Sequence, residues 1–355
     1  MADRGHSNRL NCSETGQEIC RRTGIGLGIS DSVYFYAPNN GAPIFFAAAF
    51  AATGLFHLWQ CFHYKYFQVM AALSFFCCVL TAAFGARAYG ARHADDAQVY
   101  TASTMLLYIA PPLLELTNYL ILRRIFHFVP YFAPMHPVRM LVTFATLTVV
   151  IELLSIAGIA YLANQDLPDK SIQMGDTLTK ASLVLQLLII ALFFPLAGTL
   201  HRCCRAAKIN SPRVTRPLLL LYTSMLLALA RTVYRTVQHF AVPASTKGLD
   251  PLTLDPIVRF EWFFYVFDAA PMLVGAVLWN LGHPRRWLPE NPQMYLAQDG
   301  VTVLRGPGWK DSRSLGETFF NPFAMLTTRG GHQKQFWEQN GYVLGTRRAR
   351  PTRGV

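Results

Sequence analysis

Arg231, Tyr234 and Arg235 are spaced i, i+3, i+4, and Glu261, Tyr265 and Asp268 are spaced i, i+4, i+7. On helices each set occupies a single face. Both sets lie in stretches long and apolar enough to cross a bilayer, where an ionisable side chain marks a polar site between helices by default. Facing guanidinium and carboxylate groups can do two kinds of work there. They can form a buried ion pair that fixes helix register, or they can line a cavity that recognises and moves the polar head of an amphipathic molecule. The roles are compatible, and a buried pair is weak evidence for stability. At a helical rise of ~1.5 Å per residue, Arg231 and Asp268 both fall ~14–15 Å from one end of their spans, and Glu152 reaches nearly the same level. Arg231 therefore has two prospective partners, Asp268 and Glu152. Arg235 and Glu261 lie nearer that end, and Glu115, after Pro111-Pro112, is a separate carboxylate nearer the other.

Other chemistry finds little support. The chain has no H-E-x-x-H and its seven cysteines show no metal-ligand spacing, so neither a metal nor another cofactor is expected. There is no G-x-x-x-x-G-K-[ST] loop to cradle phosphates, and no G-x-S-x-G elbow, so the chain is not expected to be an enzyme or to use ATP itself. His57, with Gln60, reads first as a helix-packing residue and second as part of the same cavity; His63 and His127 read as interfacial.

The elements that must position these residues are membrane helices. In 355 residues, 52% are hydrophobic and only 15% charged, against about a quarter charged in ordinary soluble domains. Seven stretches reach the ~20 residues needed to span the hydrocarbon: roughly 42–62, 66–86, 99–121, 138–162, 180–201, 217–241 and 259–282. The fold class is thus all-α, an integral membrane bundle of seven transmembrane helices. Pro111-Pro112, Pro195 and Pro271 fall within spans three, five and seven, where neighbouring helices can satisfy the freed carbonyls. Span two is the weakest, because Gly85, Arg87 and Gly90 blur its end.

Charge places the connectors. One set carries Lys65, Arg123, Arg124, Arg139, Arg202, Arg205, Lys208, Arg213 and Arg216 with no acid, while the other mixes Arg87, Arg92 and several lysines with many aspartates. The positive-inside rule puts the first set in the cytosol, so the N-terminus is expected outside and the C-terminus inside. Asn11-Cys12-Ser13 is a glycosylation sequon in the outer segment. Cys12 and Cys20 could form a disulfide there, Cys77 and Cys78 read as core packing, and Cys203 and Cys204, between Arg202 and Arg205, form a possible palmitoylation site. Residues 1–41 read as an extracellular or lumenal segment, 42–284 as the seven-helix domain, and 285–355 as a basic, largely disordered cytosolic tail. The net charge of +12 is accounted for by connectors and tail near an anionic leaflet, and requires no nucleic acid.

A family pattern runs through these residues. Tyr34-Phe-Tyr36-Ala-Pro38 precedes span one, Arg231-x-x-Tyr234-Arg235 lies in span six, Glu261-x-x-x-Tyr265-x-x-Asp268-x-x-Pro271-Met272 lies in span seven, and His283-Pro284 closes it. Over roughly 34–288 the chain resembles the fungal RTA-like proteins, the lipid-translocating exporter family. Gly158 and Gln186 also stand where that family has a glycine and a glutamine. Three departures make it a divergent member: Gln238 replaces an acid after the R-x-x-Y-R motif, Arg285 replaces the glycine after His-Pro, and Thr148 stands where aspartate is usual, with Glu152 one turn later as a displaced carboxylate.

The resemblance implies translocation or export of amphipathic lipids or toxic hydrophobic compounds, sphingoid-base-like or sterol-like, conferring resistance. The candidate polar cavity comprises Arg231, Tyr234, Arg235, Glu261, Tyr265, Asp268 and Glu152. Its carboxylates suit a cationic amphiphile, whereas its arginines could neutralise them or hold an anionic head group. The alternative is a seven-helix receptor for an amphipathic ligand, with the connector at 201–216 and the tail available to a signalling partner. As a multi-pass protein it is expected in the plasma membrane, with internal secretory-pathway membranes as the other location.

Overall fold

The computed structural model describes residues 38–306, apart from 94–95, 164–166, 210, 243–254, 290, 292 and 298. Asn11, Cys12, Cys20, Tyr34, Tyr36 and the tail beyond 306 lie outside the described residues.

Among the described residues, seven helical spans are long and apolar enough to cross a membrane, and they form a bundle. Span one is α1 (Ala42–Tyr64), opened by Asn39, whose Oδ1 accepts the orphan amides of Gly41 and Ala42. Lys65 takes a left-handed conformation (φ 53°) that turns the chain into α2 (Phe67–Gly90), span two. Span three comprises α3 (Ala97–Ile109), capped by the Asp96 carboxylate on the amides of Gln98 and Val99, and α4 (Pro111–Phe128). Spans four, five and six are α5 (Pro137–Ala163), α6 (Asp169–Ala206) and α7 (Pro212–Ala241). A short helix, α8 (Pro256–Arg259), precedes span seven, which is irregular: α9 (Trp262–Phe264), a π-helical turn (Tyr265–Ala269) and α10 (Ala270–Leu281).

Several helices outrun the apolar stretches that announce them. Span five begins at Asp169 rather than near 180, because polar turns joined by the Lys180–Asp176 pair (2.8 Å) continue the helix beyond the apolar zone. Arg87, read from sequence as part of a connector, lies inside α2 and is buried. The prolines also differ in effect. α6 runs on through Pro195, whereas Pro111 divides span three and Pro271 follows the π-helical turn.

In a bilayer helices associate through close packing and interhelical hydrogen bonds, since lipid is as apolar as leucine. Span three is central and touches α2, α5, α7 and α10. Trp279 Nε1 donates to Asn118 Oδ1 (3.1 Å) and Ser224 Oγ (3.2 Å), and Ser224 Oγ donates to Asn118 Oδ1 (2.9 Å), tying spans three, six and seven at one point. Small residues let backbones meet: a Cβ on Gly158 would lie 2.8 Å from the Gly175 carbonyl oxygen. Leu55, Leu153, Leu192 and Leu226 point outward and are exposed, as a lipid-facing surface requires.

Past span seven, a 3₁₀ turn (Pro284–Arg286) leads to a two-stranded antiparallel hairpin, β1 (Met294–Leu296) with β2 (Val303–Arg305), in the register Met294↔Arg305. Sequence reading placed everything from 285 onward in an irregular tail; the hairpin departs from that reading because neighbouring helices hold it. Tyr295, Leu296 and Ala297 are buried, the Tyr131 hydroxyl donates to the Ala297 carbonyl (3.3 Å), and Arg124 Nη2 donates to the Pro289 carbonyl (2.7 Å). At the tip, Asp299 accepts from the Thr302 hydroxyl and from the amides of Val301 and Thr302; these bonds, the hydroxyl's foremost, hold its carboxyl below the usual aspartate value. Arg124→Ala removes a charge-assisted bond worth ~1.5–3 kcal/mol. Amide exchange over 289–305 should then speed up by about tenfold or more, and unchanged exchange would show that the Arg124 bond does not hold the hairpin.

Candidate functional site

The sequence-predicted charges fall into two layers. In the deeper one α7 presents Arg231 and Arg235 to Asp268, which the π-helical turn carries. Arg231 Nε donates to Asp268 Oδ1 and Arg235 Nη2 to Oδ2, each at 2.7 Å, and all three side chains are buried. A single carboxylate thus joins two guanidinium groups. Arg231 Nη2 also points to the Leu107 carbonyl at 3.5 Å. In an unbroken helix that carbonyl would accept from residue 111, which is proline and has no N–H. The Arg235 guanidinium lies 4.8 Å over the Tyr108 ring and 5.4 Å over Phe264, and its Nη1 donates to Gln238 (3.2 Å). Tyr108 in turn is paired with His239.

The shallower layer centres on Glu261. Its Oε1 accepts from Arg87 Nη2 (3.0 Å) and the Tyr265 hydroxyl (2.9 Å), and its Oε2 accepts from the Asn39 amide (2.7 Å). Arg87 also stacks 4.4 Å over Phe264. Glu261 and Tyr265 therefore join α2 and the start of span one rather than α7. The reason is local: a π-helical turn holds one residue more than an α-helical turn, so the face predicted from regular spacing divides between two neighbours. π-turns of this kind frequently occur at functional sites. Arg87 was missed in the sequence because a charge near a span end resembles a connector charge.

Two predicted residues stand apart. Tyr234 is buried and its ring stacks on Phe267 (6.0 Å), but its hydroxyl has no hydrogen-bond partner among the described residues. Glu152 is not joined to Arg231, which takes Asp268. It instead shares a narrow crevice between spans three, four and five with Glu115, Thr148 and Gln186, between the apolar walls of Pro112, Ile151 and Ile189. The crevice is too narrow to seat a water molecule. Glu115 accepts from Gln186 Nε2 (2.8 Å) and from the Tyr119 hydroxyl (3.3 Å). Glu152 Oε1 and Thr148 Oγ1 have no hydrogen-bond partner, and neither carboxylate has an ion-pair partner, among the described residues. No group of three metal-ligating side chains occurs among the described residues either. At the far end of α6, Cys203 is exposed and Cys204 buried.

Comparison with known proteins gives this arrangement its relatives. Residues 73–291, which include both charge layers and the crevice, match the RTA1-like protein family. The chain belongs to that family. It is 38% identical over 296 residues, 80% of its length, to the lipid-translocating exporter-like protein RTA1 of Leptosphaeria maculans, and it spans 57% of that protein. It is 26% identical over 238 residues to a protein of the same description from Ajellomyces capsulatus, covering 64% of this chain and 72% of that one. It is 24% identical over 303 residues to the probable lipid transporter atnI of Emericella nidulans, covering 78% of this chain and 76% of that one. No solved structure matches the chain. Within this RTA1-like chain, Thr148 and Glu152 line one crevice, one helical turn apart.

Proposed function

We propose that this RTA1-like protein translocates or exports an amphipathic lipid or hydrophobic compound, with its N-terminus outside and its basic tail in the cytosol. Relatives described as lipid-translocating exporters or lipid transporters support transport. The observation that carries the reading is Glu152. It lies in the middle of α5, roughly 16–22 Å along the axis from either end by helical rise. Val149, Val150 and Leu153 beside it are exposed to the surroundings, while Thr148, Ile151 and Ser155 are buried. Glu152 is thus a half-buried carboxylate at the boundary between the lipid-facing surface and the bundle interior. Its Oε1 has no partner there to explain it structurally. Ionisable groups retained at such depth characteristically mark substrate pathways.

The chemistry follows from position. A lipid lying against α5 keeps its chain in the bilayer, and the crevice must widen to admit its head, to which Glu152 and Glu115 offer carboxyl oxygens and Thr148 and Gln186 offer neutral hydrogen bonds. A cationic or hydroxyl-rich head meets acceptors there. The arginine layers nearer the α1 end hold their own carboxylates and hand none to a ligand in this conformation. The plasma membrane is the location consistent with export.

Movement of a fluorescent long-chain amine across proteoliposomes without ATP tests this proposal. Glu152→Gln leaves no structural ion pair broken, so it should keep its unfolding temperature. Loss of one charge-assisted bond to the head group, ~1.5–3 kcal/mol, should slow movement by roughly tenfold or more. Unchanged movement in a folded variant would remove Glu152 from the pathway. A folded wild type that binds amphiphiles but moves none would favour the receptor.

A further inference from the structure

A second polar region lies on the other half of the bundle, between spans one and seven, away from both charge layers. His57 Nε2 bonds the Ala276 carbonyl (3.1 Å), Gln60 Nε2 donates to the Asn280 carbonyl (3.0 Å), and Asn280 Nδ2 donates to the Thr53 carbonyl (3.3 Å). The Asn280 carbonyl would otherwise lack a helical donor, since residue 284 is proline. Each of these bonds fixes what the rest of its side chain can do. A carbonyl only accepts, so His57 donates from Nε2 and, in the neutral ring, Nδ1 is an acceptor. Gln60 and Asn280 have committed their amides, leaving Oε1 and Oδ1 as acceptors. At the end of span seven, His283 Nδ1 accepts the Arg285 amide (3.2 Å), so His283 carries its hydrogen on Nε2.

Four atoms are left over: His57 Nδ1, Gln60 Oε1, Asn280 Oδ1 and His283 Nε2. All four are buried without a hydrogen-bond partner among the described residues, on side chains no more than 6% exposed. An unpaired buried polar group costs ~1–3 kcal/mol, so four in one seam call for a common occupant. Three acceptors and one donor define its chemistry. Two linked waters have four donor hydrogens. One joins the waters and three fill the acceptors, while the His283 N–H is received by a water oxygen. Buried waters characteristically serve groups of this kind, with about three bonds each.

We propose that the seam between spans one and seven is a water-binding site holding at least two linked water molecules. The site lies between the end of span seven, where the Tyr64 ring packs 4.4 Å from His283, and the level of Ala276. By helical rise that level is ~12 Å from Asp268. The proposal rests on these side chains alone and stands whether or not a lipid moves.

Radiolytic hydroxyl-radical footprinting of the wild-type protein in nanodiscs tests it, because radicals generated from bound water label neighbours that bulk solvent does not reach. His57, His283, Met70 and Met225 are all fully buried. A hydrated seam predicts oxidation of His57 and His283 at least roughly tenfold faster than of Met70 and Met225, although thioethers are intrinsically the more oxidisable groups. Histidines as unreactive as the two methionines would overturn the proposal. Asn280→Leu, which removes one acceptor, should then reduce His57 oxidation severalfold, and an unchanged rate would show that radicals arrive by another route.

Discussion

Asp268→Asn is expected to destabilise the protein by about 3–5 kcal/mol, the cost of leaving a buried charge unpaired. The wild-type carboxylate spends one oxygen on Arg231 and the other on Arg235, both at 2.7 Å. Asparagine keeps the shape, but its amide nitrogen meets a guanidinium donor to donor, and two positive charges remain side by side in a buried site. Removing one arginine is different. Arg231→Gln leaves the Arg235–Asp268 pair intact and neutral, so its loss of stability should be clearly smaller than that of Asp268→Asn. Chemical or thermal unfolding in detergent micelles would order the two. Equal losses would mean that the carboxylate does not join the two helices as described. The ranking also bears on function: a transport defect in Asp268→Asn would be confounded by misfolding, whereas Glu152→Gln is not.

Gly158→Val is expected to be comparably harmful for a steric reason. A Cβ at position 158 would lie 2.3 Å from Thr179 Oγ1 and 2.8 Å from both the Gly175 carbonyl oxygen and the Thr179 amide nitrogen. A side chain could rotate away, but the facing backbone of α6 cannot, so α5 and α6 must separate along their contact. Overpacking of this kind costs about 1–3 kcal/mol and sometimes more. The lower end should already appear for Gly158→Ala. Gly175 faces the same crossing, with a Cβ 2.9 Å from the Gly158 carbonyl oxygen. The double variant Gly158→Ala/Gly175→Ala should therefore lose less than the sum of the singles, since one separation relieves both clashes. Gly85→Ala is the control: nothing lies within 4 Å of its Cβ position, and alanine in a helix should be neutral or stabilising by ~0.5–1 kcal/mol. A neutral Gly158→Val would show that the two helices do not touch there.

The two expectations concern different forces. Asp268 couples spans six and seven by charge, and Gly158 couples spans four and five by shape. In a bilayer both matter because burying apolar surface between helices gains little over leaving it in lipid.

The sequence by itself determined the elements and the nature of the interior. Runs of about twenty apolar residues can only be helices in hydrocarbon, because every backbone polar group must be satisfied within its own segment. That fixed seven spans. It also made Arg231, Arg235 and Asp268 conspicuous, since a charge in such a run must find a partner. Spacing of four residues placed both arginines on one face, and equal depth made Asp268 and Glu152 the prospective partners of Arg231.

Tertiary structure decided the pairings. Glu261 and Asp268 share a face only if span seven is a regular helix, and the π-helical turn at Tyr265–Ala269 sends Glu261 to Arg87 instead. Depth alone left Arg231 between Asp268 and Glu152, because rise along an axis is legible in sequence while the angle around the bundle is not. Glu115 and Glu152 meet in one crevice although they lie on different spans, and the bonds of His57, Gln60 and Asn280 to facing groups depend on how span one leans against span seven. The hairpin after span seven is held by Arg124 and Tyr131 from the end of span three and the turn after it. Local periodicity reports which residues are apolar and how deep they lie; which helices become neighbours depends on long-range packing that no single segment encodes.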